Sequence, residues 1–265
     1  MRKMIKSAWK YPASIIENKI RNFYMKRWFC GDDQVVLRIL GGRSNCFLVQ
    51  NHEHYLLVDT ARTNRWEQLS KILDSLTRKG GTLDTLVLTH THFDHAENAA
   101  AIKTKYNSNI AVHRSEADYV QKGDSPLPQG TRLLTRLVIR LFAKALQPHF
   151  RYKPAEVDIK VDERFDLQAL GFNGYLIHTP GHSKGSMSLI LNDEIALVGD
   201  TLFGRIPGAV FPVYADDPAL LIKSWKLLLQ TGCKIFLPAH GGAVSRELLK
   251  KRYEKQSRRY NKETS

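Results

Sequence analysis

The residues best suited to chemistry lie in the segment HTHFDH, residues 90–95, which directly follows an apolar run. Four of its six positions carry imidazole or carboxylate, and such groups are costly to bury without partners. Neutral imidazole and carboxylate are also ligands that a borderline divalent ion such as zinc prefers. The segment therefore predicts a metal site rather than an ordinary solvated loop.

Three further candidate ligands follow apolar runs later in the chain. His182 lies in TPGHS, Asp200 in LVGDT and His240 in LPAHGG, each beside or near a glycine. A polar residue at the end of a strand, followed by a glycine-containing turn, can direct its side chain into a shared cleft. Together with the four in HTHFDH, these residues supply seven ligands, which is enough for two metal ions.

Short apolar runs separated by turn residues predict the elements that must position these ligands. We predict strands at 35–40, 45–50, 54–60, 83–89, 109–113, 157–161, 174–178, 186–191, 195–199 and 234–238. We predict helices at 12–29, 65–78, 94–106, 114–121, 131–146 and 217–230, and a final one from 244. Groups of strands with helices between them favour two packed sheets with helices outside them.

These motifs resemble those of the metallo-β-lactamase superfamily of hydrolases over about residues 31–245. THTHFDH is similar to its HxHxDH signature, and the three later motifs follow in its order. The resemblance implies an α/β fold, a four-layer αβ/βα sandwich carrying a helical insertion. It implies one metal held by His90, His92 and His182, another held by Asp94, His95 and His240, and Asp200 bridging them. It also places Asp59, of LLVDT, just beneath the site.

Such a site predicts a dinuclear-metal hydrolase. Two divalent ions, zinc or alternatively iron or manganese, would share a bridging hydroxide that attacks an ester, thioester or lactone carbonyl. Asp94 is the candidate catalytic proton shuttle. The resemblance is to the glyoxalase II-like and lactonase-like group. Asp200 in place of a cysteine disfavours the secreted β-lactamases, and only 39 residues between Asp200 and His240 disfavour the large nucleases.

Two other classes stay open at this point. A phosphodiesterase or ribonuclease of the same fold is motivated by the net charge of +14. A binding module that kept the fold without activity is disfavoured because all seven ligands are present. Lys184, Arg205 and Tyr214 lie in loops beside ligands and are candidates to line the cleft, whereas His113 and His178 are interpreted as structural.

The positive charge is concentrated in three peripheral segments. Residues 1–30 hold eight Lys or Arg and one acid, residues 130–153 hold six and none, and residues 246–265 hold eight and three. We therefore predict a basic helical extension at 1–30 and a domain at 31–265 with a helical insertion at about 122–153. Partners consistent with this charge are a small-molecule substrate, including an anionic one, a nucleic acid or a membrane surface.

Composition limits the cellular setting. With 43% hydrophobic and 25% charged residues, the chain is typical of a globular protein, and no apolar run predicts a membrane span or secretory signal. Three widely spaced cysteines predict neither a disulfide framework nor a paired-cysteine metal site. We expect a cytoplasmic protein. The sequence does not predict the substrate, because loop shapes set specificity.

Overall fold

The computed structural model describes residues 26–127 and 150–263, the last three of them by backbone only. Seven strands form the first sheet, and they neighbour one another in chain order. They are β1 Arg27–Cys30, β2 Gln34–Leu40, β3 Cys46–Asn51, β4 His54–Val58, β5 Thr82–Val87, β6 Asn109–His113 and β7 Ile159–Val161. The first four strands pair antiparallel, and β4 to β7 pair parallel.

Six strands form the second sheet, in the order β13-β12-β11-β10-β9-β8. They are β8 Arg164–Asp166, β9 Gly174–His178, β10 Met187–Leu191, β11 Ile195–Gly204, β12 Ile235–Gly241 and β13 Val244–Ser245. Strands β11 and β12 are parallel and the other neighbours are antiparallel.

Six α-helices and three short 3₁₀ turns are described. The helices are α1 Trp66–Thr77, α2 Phe93–Ala96, α3 Ala99–Tyr106, α4 Ala117–Lys122, α5 Pro218–Gln230 and α6 Arg246–Glu263, and the turns are Thr63–Arg65, Arg114–Glu116 and Gln168–Leu170. Helix α5 begins where Asp217 accepts a hydrogen bond from the Leu220 backbone N–H at 2.9 Å, with Pro218 in the first turn. No helix in the described ranges is long and apolar enough to cross a bilayer.

Three apolar cores separate four layers. In the first, α1 packs against the first sheet through Leu69, Leu73 and Leu76, which share one helical face. The middle core lies between the sheets and includes Val49 and Leu189. In the third core, the second sheet packs against α5 and α6. The predicted four-layer αβ/βα sandwich is therefore confirmed.

The predicted helix at 12–29 is wrong where the structure describes it. Residues Arg27–Cys30 form strand β1, paired with β2, and the rest of that helix lies outside the described residues. Side chains alternate there, with Trp28 packed on the core and Phe29 70% exposed. This period of two is typical of a strand, and four residues are too few to distinguish it from helical spacing in the sequence.

The predicted helix at 94–106 is interrupted. It divides into α2 and α3 at Asn98, whose side-chain amide donates to the backbone carbonyls of Thr60, Ala61 and Arg62. Tying the chain to this neighbouring segment breaks the helical path. The short strands β8 and β13 were not predicted. The final helix, predicted from 244, begins at Arg246 because Val244–Ser245 pair with β12. The predicted helix at 131–146 lies outside the described residues, which omit 128–149.

The third core gives a test of the sandwich. Trp225 is fully buried, and its indole N–H donates to the Thr201 carbonyl at 2.7 Å. Trp225→Ala should lower the free energy of unfolding by roughly 3–5 kcal/mol, because it leaves a large cavity. Leu227→Ala on the same helix, where the side chain is 44% exposed, is the control and should change stability little. Urea unfolding followed by circular dichroism measures both, and equal effects would contradict this packing.

Candidate metal centre

The seven predicted ligands lie together at one edge of the two sheets. Segment 90–95 follows β5, whereas His182 follows β9 of the second sheet, and His240 lies near the end of β12. Ligands therefore come from both sheets, and the site forms where their loops meet.

Asp200 lies inside strand β11 rather than after it. The register between β11 and β12 shifts on both sides of Gly199, which has a φ of +49°. A Cβ at Gly199 would lie 2.5 Å from the Thr89 hydroxyl, so only glycine fits this approach between the sheets. A bulge of this kind redirects the neighbouring side chain, and here it brings Asp200 into the cluster.

Three histidines form the first cluster. His90 Nε2 lies 2.9 Å from His92 Nδ1, and His182 Nε2 lies 3.0 Å from the same atom. The rings are nearly perpendicular, with centroids 4.6 to 4.8 Å apart. Three imidazole nitrogens thus converge on one point, as ligands of a single ion do.

Asp94, His95 and His240 form the second cluster. His240 Nε2 lies 3.5 Å from Asp94 Oδ2, and His95 Nε2 lies 3.8 Å from Asp94 Oδ1. Asp94 is the more open of the two carboxylates at the site, with its side chain 14% exposed against 5% for Asp200. Asp94 is therefore the carboxylate of the site with the greater access to solvent.

Asp200 lies between the two clusters. Its Oδ2 is 3.5 Å from His182 Nε2 and 3.3 Å from His240 Nε2. Its Oδ1 is 3.6 Å from His95 Nε2. One carboxylate therefore faces both clusters, which is the arrangement that a bridging ligand requires.

Two buried atoms of the site have no hydrogen-bond partner, and they test whether the residues fit metal ions. They are His95 Nε2 and Asp200 Oδ1. A buried polar atom without a partner is unfavourable, and a metal ion would satisfy both of these atoms. The surrounding donors are imidazole nitrogens and carboxylate oxygens, the set that zinc and related divalent ions bind. The residues present therefore fit metal ions.

Burial and neighbouring charges change the pKa values of the cluster. Burial lowers the pKa of His90 and His92 well below the ordinary value, and neighbouring histidines add to this. Burial would also lower the pKa of His95, but the carboxylates of Asp59, Asp94 and Asp200 outweigh it and raise that pKa to about 10.

His240 and Asp200 form a coupled pair in the same cluster. Burial would lower the pKa of His240, but Asp200 outweighs it and raises that pKa. Burial would raise the pKa of Asp200, but His240, His95 and His182 lower it below the ordinary value. In the absence of metal, these shifts favour a protonated His95 beside an ionised Asp200.

The far nitrogens of the ligand rings have protein acceptors. His95 Nδ1 lies 2.8 Å from Asp59 Oδ2, so Asp59 lies beneath the site as expected. His182 Nδ1 lies 2.8 Å from the Tyr214 carbonyl, and His240 Nδ1 contacts the Arg43 carbonyl. These acceptors orient each ring so that its Nε2 faces the cluster.

The backbone at Asp59 is strained. Its φ is +60°, a region that non-glycine residues seldom adopt. Its carboxylate also accepts from the Thr89 backbone N–H at 2.9 Å and from the Thr89 hydroxyl. Three hydrogen bonds therefore hold Asp59 in a conformation that serves the site.

The three residues expected to line the cleft, Lys184, Arg205 and Tyr214, make different contacts in the structure. The Tyr214 carbonyl contacts a ligand ring, and the Arg205 guanidinium donates to the Arg43 carbonyl at 3.3 Å. Lys184 is exposed, and its carbonyl lies 2.8 Å from His178 Nε2. His178 stacks on His113 with ring centroids 3.9 Å apart, and both have hydrogen-bond partners outside the two clusters.

Sequence reasoning missed three supports of the site. The Arg43 carbonyl orients His240 across 197 positions of the chain, and Ser44 donates to the Asp94 carbonyl at 3.0 Å. The buried carboxylate of Glu116 contacts two ligand loops. The role of a backbone carbonyl cannot be inferred from residue type, and Glu116 gave no signal beyond lying in the predicted helix at 114–121.

Comparison with known proteins identifies the family. The family model of the metallo-β-lactamase superfamily matches residues 39–240. The chain therefore belongs to the metallo-β-lactamase superfamily. Membership supports a metal-dependent hydrolase.

Three relatives illustrate the range of this similarity. The chain is 26% identical over 177 residues to a metallo-β-lactamase fold-containing protein of Sulfurisphaera tokodaii, a match covering 63% of this chain and 64% of that one. It is 24% identical over 219 residues to an atrochrysone carboxyl ACP thioesterase of Aspergillus aculeatus, covering 79% and 56%. It is 25% identical over 152 residues to a hydroxyacylglutathione hydrolase of Nitrobacter hamburgensis, covering 55% and 46%. The chain thus spans less than two thirds of each relative's length.

The fold of the archaeal relative is known from a crystal structure. That structure, of a metallo-β-lactamase superfamily protein from Sulfolobus tokodaii, matches this one with a TM-score of 0.54. The two chains are 22% identical, and the match covers 80% of each. At this identity the comparison supports the fold alone.

The raised pKa values of His95 and His240 predict proton-linked metal binding. A histidine must lose its proton to bind a metal, so an ion that enters the second cluster displaces protons from His95 and His240 and binds more weakly as pH falls. The apparent affinity for Zn²⁺ should rise from about pH 6 to about pH 8. Competition with a chromophoric chelator measures the affinity, and calorimetry in buffers of different ionisation enthalpy measures the released protons. An affinity independent of pH would contradict the protonated state of the second cluster.

Proposed function

We propose that this chain is a dinuclear-metal hydrolase that cleaves an ester, thioester or lactone bond. The observation that carries the proposal is the position of Asp200, which faces both clusters within 3.3 to 3.6 Å. In this proposal His90, His92 and His182 would hold one ion, Asp94, His95 and His240 would hold the other, and Asp200 would serve as the shared ligand. Zinc is the proposed metal, and elemental analysis distinguishes it from iron or manganese.

When bound, two such ions would supply an activated water and would polarise the scissile carbonyl. The residues of this chain orient the ligand side chains for that chemistry. Asp59 fixes the orientation of His95, and the Tyr214 and Arg43 carbonyls fix His182 and His240. Because these rings cannot turn, their Nε2 atoms are oriented before substrate arrives.

Asp94 is the proposed proton shuttle. Its carboxylate lies at the second cluster and is the more exposed carboxylate of the site. A carboxylate so placed can accept a proton during attack and deliver it to the leaving alkoxide or thiolate. Its backbone is fixed by the hydrogen bond from Ser44.

Two kinds of observation support a carbonyl substrate. One relative is named as an ACP thioesterase and another as a hydroxyacylglutathione hydrolase, and both names describe cleavage of an acyl thioester. In this structure, apolar Ile206 and Val213 are 68% and 57% exposed in the loop that leads to Tyr214 beside the site. These side chains suit contact with an apolar part of a substrate.

Charge near the second cluster suits an anionic substituent on the substrate. Arg43 and Arg205 are exposed, and the Arg205 guanidinium lies against the carbonyl that orients His240. Within the described residues neither forms an ion pair. We therefore propose a small-molecule substrate with an anionic group. The three cysteines are free and buried, which favours the reducing cytoplasm as the proposed compartment.

A phosphodiesterase or ribonuclease is the second candidate. The exposed face of α6 carries Lys250, Lys251, Lys255 and Arg258, which suit the phosphates of a nucleic acid as well as anionic lipid. In this case binding should weaken steeply with salt, because each neutralised phosphate releases a counterion.

A substrate panel distinguishes the two candidates. Metal-loaded protein is assayed against lactones, aryl esters, acyl thioesters and bis-p-nitrophenyl phosphate. We expect kcat/KM to be highest for a carbonyl substrate, to vanish after chelation and to return with Zn²⁺. A preference for the phosphodiester would establish the second candidate. Absence of any metal-dependent hydrolysis across the panel would refute a hydrolase of either kind.

Asp200→Asn tests the bridging role. The amide keeps the shape of the side chain but lacks the charge and the second oxygen that face the two clusters. Activity on the best substrate should fall at least ~100-fold, the range found when a major electrostatic contribution is lost. Asp158→Asn, at the surface beside Lys103, is the control and should keep parental activity. If Asp200→Asn also keeps most of the activity, Asp200 is not the bridging ligand.

A further inference from the structure

Four hydrogen-bond donors converge on the carboxylate of Glu116, which is 1% exposed. Its Oε2 accepts from the Thr91 backbone N–H and from the Thr91 hydroxyl, both at 2.7 Å. Its Oε1 accepts from the Gly185 backbone N–H at 2.9 Å and from the Ser183 hydroxyl. No cation among the described residues pairs with it, so neutral donors alone compensate its burial.

Each donor belongs to a loop that carries a first-cluster histidine. Thr91 lies between His90 and His92, and Ser183 directly follows His182. The two loops extend from different sheets, since one follows β5 and the other joins β9 to β10. Glu116 therefore links the two halves of the sandwich directly beside the three histidines.

The surrounding residues complete this link. The Thr91 carbonyl accepts from the Tyr152 hydroxyl at 3.4 Å, so every polar group of Thr91 has a partner. A Cβ at Gly185 would lie 2.7 Å from Glu116 Cγ, so glycine leaves the room that the carboxylate needs. Ser183 is held in turn, because its backbone N–H donates to the Ser186 hydroxyl at 3.1 Å.

We infer that Glu116 is a positioning residue that sets the affinity of the first cluster for its metal ion. The three ligand nitrogens of this cluster converge only if the two loops keep their relative position, and Glu116 accepts hydrogen bonds from both. This inference rests on the metal site proposed above, but it does not depend on the substrate.

Glutamine at this position cannot replace glutamate. An amide offers one oxygen and one NH₂ group, whereas all four groups that face Glu116 are donors. Glu116→Gln would therefore place its NH₂ group against the hydrogen-bond donors of one of the two loops. The hydrogen bonds that join that loop to the other through residue 116 would then be lost. Loss of such an outer partner typically lowers metal affinity 10- to 100-fold.

Glu97 provides a matched control. It is also buried, and its Oε2 accepts from the backbone N–H and the hydroxyl of one threonine, Thr63, at 2.7 and 3.1 Å. Its remaining partner is Arg62, so none of its hydrogen bonds reaches a loop of the first cluster. Glu97→Gln disturbs a comparable buried carboxylate without touching the link that Glu116 makes.

The experiment isolates one cluster at a time in the full-length chain. A His95→Ala background leaves the first cluster as the intact site, and a His182→Ala background leaves the second. Zn²⁺ affinity is measured by competition with a chromophoric chelator, and Co²⁺ absorption reports the ligand geometry. Glu116→Gln should weaken the ion in the His95→Ala background about 10- to 100-fold and alter its Co²⁺ spectrum. In the His182→Ala background it should leave the affinity unchanged.

Glu97→Gln in the His95→Ala background should bind Zn²⁺ as that background does. If Glu116→Gln does not fold, Ser183→Ala, which removes one of the four donors, should weaken the same ion by a smaller factor. Parental affinity and spectrum in Glu116→Gln, or equal losses from Glu116→Gln and Glu97→Gln, would overturn the inference while leaving the proposed hydrolase intact. A parent chain that binds no ion would overturn both.

Discussion

Burying seven imidazole and carboxylate groups close together is energetically unfavourable, and several features of the surrounding structure compensate for it. His90, His95 and Asp200 are at most 5% exposed, yet two of the atoms they contribute to the site have no hydrogen-bond partner. Such a cluster persists only if the rest of the fold holds it together. The glycine bulge in β11, the strained backbone of Asp59 and the carbonyls behind His182 and His240 all serve this purpose.

The supports are shared between the sheets rather than confined to one. Asp59 and Thr89 of the first half hold His95, while Tyr214 of the second half holds His182. Glu116 and Arg43 cross between the halves. The middle apolar core packs the two sheets against each other. These polar contacts then fix the ligand positions as closely as a metal site requires.

Much of this arrangement is local in the sequence and could be predicted. The spacing of HTHFDH, the apolar run before it and the glycines beside His182 and His240 predicted which side chains would meet, because polar residues at strand ends can direct their side chains into a shared cleft. The helix predicted at 12–29 failed at its end because Trp28 and Phe29 alternate faces over too few residues to show a period. Glu116, Asn98 and the Arg43 carbonyl could not be predicted, since their roles depend on partners 25 to 197 positions away.

The wide separation of the ligands along the chain has a consequence for folding. His92 and His182 are 90 positions apart, and Arg43 meets His240 across 197. Closing such long loops lowers the conformational entropy of the chain, and local contacts do not compensate for this loss. We therefore expect the contacts between these residues to form late in folding. All seven strands of the first sheet precede His240 in the chain. We therefore expect the metal centre to assemble only after both halves of the sandwich have docked, so that metal binding would report a completed fold.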